Sequence, residues 1–265
     1  MAVKENVFTR QGAPGVPLAA PATGHRPGLW AELTGLGLGY LAYEWLRAVA
    51  DHSPRLARNH AHDIYRAEQI LHFNVERWSN HLLVMHPWAA GAAGYYYATG
   101  HFAVTLMVVG WLYLRHPGRY RPLRSVLVLT TVAALAGYWL YPLVPPRIAL
   151  AGFTDVVVRH DVLGAANPHG PISMINLYAA MPSLHVAWAV WVALAITRAV
   201  THPARHFAWC YPVLTTAVVL GTANHYLLDT VAGATIALLA DLAVCHQVSA
   251  THRPRPLAAK VPSHA

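Results

Sequence analysis

An all-α, integral-membrane bundle of about six transmembrane helices is the fold class this sequence predicts, and three observations predict it. Of 265 residues, 55% are hydrophobic and 11% charged, against about 25% charged in an average soluble domain. The apolar residues gather into runs of roughly 20, the length that crosses a bilayer core as a helix. The basic residues sit in short connections between those runs rather than in a stripe with interleaved aromatics. That placement reads as membrane topology and speaks against a nucleic-acid partner.

The elements follow in chain order. Residues 1–28 are rich in Gly, Pro and Ala, lack the apolar segment of a secretory signal, and are expected to form a disordered tail. A membrane domain is expected over 29–247. Its first span, about 29–50, carries Glu32, Glu44 and Arg47. In the stretch 54–85, Ile64, Leu71, Val75, Trp78 and Leu82 recur at three- to four-residue spacing among charges. This periodicity predicts an amphipathic helix, either lying at the interface or packed on the end of the bundle. Further spans are expected at about 94–114, 124–143, 180–198, 206–223 and 225–246. The segment 248–265, with Arg253-Pro254-Arg255-Pro256, reads as a basic C-terminal tail. Cys210 and Cys245 both fall inside apolar runs, where buried small residues are the simplest reading, with no disulfide framework.

Arg placement sets the expected orientation, because basic loops stay on the cytoplasmic side. The 115–124 connection holds Arg115, Arg119, Arg121 and Arg124 without an acid, and 198–205 holds Arg198 and Arg205. On the other side Arg147 and Arg159 are balanced by Asp155 and Asp161. Both termini are then cytoplasmic, in an integral plasma-membrane protein. Three polar blocks fall together on the outer face.

The first block is Pro145-Pro146-Arg147, a stiff corner ending in a cation whose fork of donors suits a phosphate. The second is Pro182-Ser183-Leu184-His185, a helix start at which Ser183 and free N–H groups favour an anion and His185 is placed to donate a proton. The third is His225-Tyr226-Leu227-Leu228-Asp229. On a helix, residues four apart share a face, so Asp229 can orient the His225 ring and leave its other nitrogen as base or nucleophile. Each block alone also fits an interfacial polar residue. Together they form a phosphoryl-transfer site with no metal and no cofactor. His81, His86 and His101 do not have the spacing of two ligands on one helical turn. Trp88 and Tyr95-Tyr96-Tyr97 read as an interfacial aromatic belt.

The blocks resemble the type 2 phosphatidic acid phosphatase superfamily, whose signature is Lys-x6-Arg-Pro, Pro-Ser-Gly-His and Ser-Arg-x5-His-x3-Asp. The resemblance covers roughly residues 90–247 and implies a six-helix membrane core. It implies that His225 is the nucleophile, His185 the acid and Asp229 the group that orients the nucleophile, with Arg147 and Ser183 on the phosphate. Pro-Pro-Arg, Met-Pro-Ser-Leu-His and Asn-His-Tyr-x-x-Asp look like the inositolphosphotransferase branch, similar to inositol phosphorylceramide synthases. On that resemblance Asn224 and Tyr226 are candidate substrate contacts, Tyr226 also fitting interfacial packing, and His101 and Arg159 join them as polar residues expected on the outer face. The chain departs from the signature, whose first part it retains only in Arg147. Leu140 stands at the Lys position, Val218 and Val219 replace the Ser-Arg pair, and Leu184 replaces the Gly. His101, Arg159, His160 and His169 are candidates to replace the missing cations.

The expected activity is transfer of a phosphoryl or phospho-head-group from a phospholipid or isoprenoid phosphate, through a phosphohistidine. With water as acceptor the same site is a lipid phosphate or isoprenyl diphosphate phosphatase. Loss of the signature cations supports a further alternative, a non-catalytic protein that binds a lipid phosphate.

Overall fold

The computed structural model describes residues 27–49, 53–73, 75–167 and 180–251. Helices and turns build all of it, with no β-strand among the described residues. α1 (Leu29–Val49) is followed by α2 (Pro54–Ile70) and α3 (Val75–Val84). α4 (Pro87–Tyr95), a π-helical turn (Tyr96–Gly100) and α5 (His101–Arg115) stack into one rod, and α6 (Pro117–Leu140) returns beside it. Two short helices, α7 (Pro146–Ala149) and α8 (Val156–Arg159), lie in the connection to α9 (Leu184–Ala199). α10 (Cys210–Gly221) and α11 (Leu227–Thr251) complete the bundle.

The local sequence explains where these helices begin. Pro occupies the first turn of α2, α4, α6 and α7, where its missing N–H costs nothing and its fixed φ suits the helix. The Ser183 hydroxyl caps α9 by accepting from the Val186 N–H, and Asp155 caps α8 through the Val158 N–H.

α9 is the axis of the bundle. It packs on α5, α6, α10 and α11 and is buried along most of its length, with Leu184, Val186, Ala187 and Ala189 through Ala195 buried. Toward its C-terminal end Trp191 and Ala195 meet Leu112 of α5, Tyr120, Leu123 and Val126 of α6, and Ala240 of α11. Nearer its N-terminus Ala187 and Val190 meet Ala134 and Tyr138 of α6, Val219 of α10 and Ala237 of α11. Trp191 is fully enclosed, and its Nε1–H donates to the Leu123 carbonyl at 2.8 Å. Trp191→Ala is expected to cost about 3–5 kcal/mol, read as a lower melting temperature in detergent. Trp88, 80% exposed, provides the contrast, and Trp88→Ala should leave melting nearly unchanged.

Among the described residues, three helical stretches are long and apolar enough to cross a membrane by length and composition: Pro87–Arg115, Pro117–Leu140 and Leu227–Val248. These contain most of the expected second, third and sixth spans. α9 has 16 residues, about 24 Å of helix, short of a bilayer core of about 30 Å. Its apolar run reflects burial among protein neighbours rather than contact with lipid. α10 has 12 residues and is preceded by a 3-10 turn, Pro203–Trp209. α1 is tied to α6 through Glu32, which accepts from the Tyr120 hydroxyl at 3.0 Å and pairs with Arg124. α11 continues to Thr251, past the expected boundary at 248. The greater part of both expected tails, and residues 168–179 with His169, lie outside the described residues. Cys210 is exposed and Cys245 half-buried, so their apolar surroundings are not those of a packed core.

The 54–85 stretch forms α2 and α3, whose buried positions are taken by small and polar residues, while Arg55, Arg58, His62 and Arg66 of α2 stay exposed. Ala57, Ala61, Glu68, Glu76 and Asn80 are fully buried against the bundle end, while Leu56, Ile70, Phe73, Trp78 and Met85 point outward. Asn80 joins three segments. Its amide donates to the carbonyls of Gly221 and Thr154, and its oxygen accepts from the Thr154 N–H.

Candidate active site

The C-terminal end of α6 and the N-terminal ends of α5, α9 and α11 meet under the α2–α3 cover. The four-arginine connection 115–124 lies at the opposite end of α6, where Arg119 donates to the Arg198 carbonyl at the end of α9. The three polar blocks therefore converge on one end of the bundle.

His225 lies in the turn before α11 rather than on the helix itself. Its Nδ1 is 3.2 Å from both carboxylate oxygens of Asp229. Asp229 sits in the first turn of α11, where its Oδ2 also accepts from the Tyr226 N–H at 3.0 Å. The four-residue spacing thus works as a helix-start contact, with one carboxylate fixing both the backbone turn and the ring. A carboxylate only accepts, so this contact favours the proton on Nδ1 and leaves the Nε2 lone pair for chemistry. His225 and Asp229 are both buried.

His185 lies in the first turn of α9, half-buried, with its ring centroid 5.3 Å from that of His225 at an interplanar angle of 64°. Two rings hold it. Tyr97 stacks on it at 4.4 Å and His101 lies at 4.0 Å. Both come from the π-helical turn and the residue after it, and His101 Nδ1 is 3.1 Å from the Tyr97 carbonyl. A Cβ on Gly100 would stand 2.8 Å from the Tyr96 ring. The expected aromatic belt is divided. Trp88 and Tyr95 face outward, Tyr96 bonds Thr215 of α10 at 2.6 Å, and Tyr97 joins the site.

Two glycines let the second block approach. A Cβ on Gly137 of α6 would lie 2.4 Å from Cδ of Pro182, and one on Gly233 of α11 would lie 2.2 Å from the Ser183 carbonyl oxygen. Ser183 is fully buried. Its N–H donates to the Asp229 carbonyl at 3.0 Å while its hydroxyl caps α9. The second and third blocks are therefore bonded backbone to backbone.

The first block is bonded to the third as well. Arg147 donates its backbone N–H to the Ala223 carbonyl at 3.1 Å and Nε to Asn224 Oδ1 at 2.7 Å, and its Nη1 pairs with Asp155 at 2.5 Å. These side-chain bonds use two of the five donors of a guanidinium. Ala223, at φ 56°, is held in the left-handed region, where a non-glycine residue costs about 1–2 kcal/mol. Arg147→Lys removes the fork that bonds Asn224 and Asp155 together. It is expected to lower kcat/KM for a lipid phosphate about 10- to 100-fold, mainly through KM, in steady-state assays on detergent-solubilised protein.

The other expected contacts are placed as follows. Asn224 holds Arg147 and bonds Thr222 at 2.9 Å. Tyr226 is fully enclosed and donates its hydroxyl to the Val144 carbonyl at 3.2 Å, so it packs beneath the site. Arg159 is exposed on α8, and His160 lies over Gly91 of α4. His81 Nε2 is 3.1 Å from the Gly152 carbonyl, away from His101. At the positions that depart from the signature, Leu140 is 83% exposed, Val219 is in the core, and Val218 faces an apolar groove between α3 and α10.

A family model described as the PAP2 superfamily matches residues 62–243, more than two thirds of the chain. The chain belongs to the PAP2 superfamily. No curated protein and no solved structure matches it. PAP2 membership indicates phosphatase or phosphotransferase activity on lipid phosphates, and the three long apolar helices mark a membrane protein. The matched region opens within α2 and so takes in Glu68, Glu76 and Asn80 as well as the three blocks.

Proposed function

We propose that this chain is a membrane-embedded phosphotransferase of the inositolphosphotransferase type. It would move a phosphoryl or phospho-head-group from a phospholipid or isoprenoid phosphate to a hydroxyl acceptor through a phosphohistidine on His225. The observation that carries this reading is the His185–His225 pair, centroids 5.3 Å apart, with Asp229 on Nδ1 of the second ring.

Each step has a side chain. In the first, Nε2 of His225 attacks phosphorus in line, the P–N bond forms as the P–O bond to the leaving group breaks, and protonated His185 gives that oxygen its proton. Asp229 stabilises the positive charge that the ring gains. In the second, His185, now neutral, takes the proton of the acceptor hydroxyl as its oxygen attacks phosphorus and the P–N bond breaks. Arg147 is assigned to the phosphate oxygens, steadied by Asn224 and Asp155. This chemistry is metal-independent, with nucleophile, acid and cation all supplied by the protein. The loop-charge rule supports a site on the outer face with both termini cytoplasmic, in the plasma membrane on this reading. A lipid donor suits the setting, since its tails stay in the bilayer while its phosphate reaches the end of the bundle.

Product analysis tests the acceptor. Labelled lipid phosphates and phospholipids are incubated with detergent-solubilised protein, with and without inositol-containing or simple alcohol acceptors. Label passing to the alcohol in preference to water is expected. Release of free phosphate alone would make the protein a phosphatase. The hydrophobic residues at the signature cation positions favour a third reading, a lipid-phosphate-binding protein without turnover, which binding with no product would support.

A further inference from the structure

The first turn of α11 is bonded through three successive backbone N–H groups, each to a different acid. The Tyr226 N–H reaches Asp229, the Leu227 N–H reaches Glu76 Oε1 at 2.7 Å, and the Leu228 N–H reaches Glu68 Oε1 at 2.8 Å. Glu68 comes from α2 and Glu76 from α3, and both are fully buried. Their remaining oxygens, Oε2 of each, are buried without a hydrogen-bond partner, and the two carboxyl groups are neighbours, each acting on the other's protonation. Two ionised carboxylates cannot bond each other, because neither has a donor. One proton shared between them supplies the missing donor and allows an acid–carboxylate bond. It also leaves a single negative charge against the positive end of α11.

We propose that Glu68 and Glu76 are positioning residues, a buried carboxyl pair that shares one proton, caps the first turn of α11 and so holds the His225–Asp229 dyad in place. The link is direct, since the turn they cap carries His225 on one side and Asp229 on the other. The charged and titratable groups around the pair come from three helices. Glu68 faces Glu76 from α3 and Asp229 from α11, and Tyr226, beside Tyr65 of α2, faces both glutamates. Burial, ahead of the charges of Glu76 and Asp229, pushes the Glu68 carboxyl up from its ordinary 4.5 to about 8. Burial raises Glu76 as well. The folded chain therefore keeps a proton that the unfolded chain has lost between those two values. Stability from this group is full below pH 4.5 and falls as pH rises to about 8.

Glutamine substitutions separate this pair from an ordinary ion site. In Glu68→Gln the amide oxygen still accepts from Leu228 and the NH2 donates to the Glu76 carboxylate, and Glu76→Gln does the same from the other side. Each single variant is expected to stay within about threefold of wild-type kcat. The double variant sets two NH2 groups against each other with no acceptor. It is expected to lower kcat about 10- to 100-fold. Wild-type melting temperature and kcat should both decline as pH rises toward about 8, and Glu68→Gln should flatten both declines.

The activity readouts rest on the proposed function, so infrared spectroscopy of 13C-glutamate-labelled protein provides an independent one. A carboxylic acid C=O band is expected at pH 7 in the wild type and is lost in either single variant. A double variant as active and stable as the singles would overturn the pairing, and so would a wild type without that band. A band with the expected pattern in a protein that turns over no lipid phosphate would refute the proposed function and leave the pair intact.

Discussion

His225→Ala is expected to remove turnover of lipid phosphates by at least about 10³-fold, because it deletes the Nε2 assigned to take the phosphoryl group. Two companion variants give the loss its mechanism. Asp229→Asn keeps an oxygen for the Tyr226 N–H but turns an NH2 toward Nδ1 of His225, which moves the ring proton to Nε2 and blocks the nucleophile. It is expected to cost about 10²–10⁴-fold in kcat without unfolding α11. His185→Ala should cost a similar 10²–10⁴-fold, roughly the value of a general acid, with ordinary lipid leaving groups. With an aryl phosphate, whose leaving oxygen needs no proton, the His185→Ala deficit should shrink and the His225→Ala deficit should not. Equal losses with both leaving groups would remove His185 from the acid role.

Gly233→Ala is the second large effect. The added Cβ would stand 2.2 Å from the Ser183 carbonyl oxygen, 3.0 Å from its carbon and 3.3 Å from its nitrogen. All three are backbone atoms, and Ser183 is bonded to Asp229, so no rotamer change relieves the contact. Either α11 moves away from the entry to α9 or the Pro182–His185 segment shifts, and both separate the two histidines. We expect a stability loss of about 1–3 kcal/mol or more and a fall in kcat of about 10²-fold, since misplacement of about 1 Å is enough for that. Gly110→Ala, on α5 with nothing within 4 Å of the new Cβ, is the matched control and should melt and turn over as wild type does. Gly233→Ala with wild-type kcat would show that the α9–α11 approach does not set the histidine geometry.

The catalytic candidates were legible because their spacing is chemical. His185 follows a helix-starting Pro-Ser, His225 and Asp229 are four apart, and Arg147 ends a rigid Pro-Pro corner. Their supports were not legible, because each looks like something commoner. Glu68 and Glu76 sit among the charges of a periodic segment, with nothing in the sequence to set them apart, yet both are fully buried against the α11 start. Gly137 and Gly233 are small residues within apolar runs, and only the three-dimensional approach of Pro182 and Ser183 shows their use. Asp155 balanced a loop charge in the sequence and turns out to hold Arg147. The span count suffers from the same ambiguity. Hydropathy is equally high for a helix facing lipid and one facing protein, and the short, enclosed α9 carries an apolar run like that of α6. The amphipathic segment has a plain apolar stripe, and periodicity alone does not reveal that Glu68, Glu76 and Asn80 turn inward while Trp78 and Leu82 stay exposed.

The central claim is a covalent phosphoryl group on His225, and rapid-quench trapping tests it most directly. Purified protein is mixed with a lipid phosphate labelled at phosphorus, stopped with base after milliseconds to seconds, and mapped by peptide. An acid-labile, base-stable phosphohistidine on the peptide containing His225 is expected in the wild type and should be absent in His225→Ala. Its formation should be slowed in His185→Ala. Turnover in the wild type without a trapped intermediate, or label that persists in His225→Ala, would contradict the account.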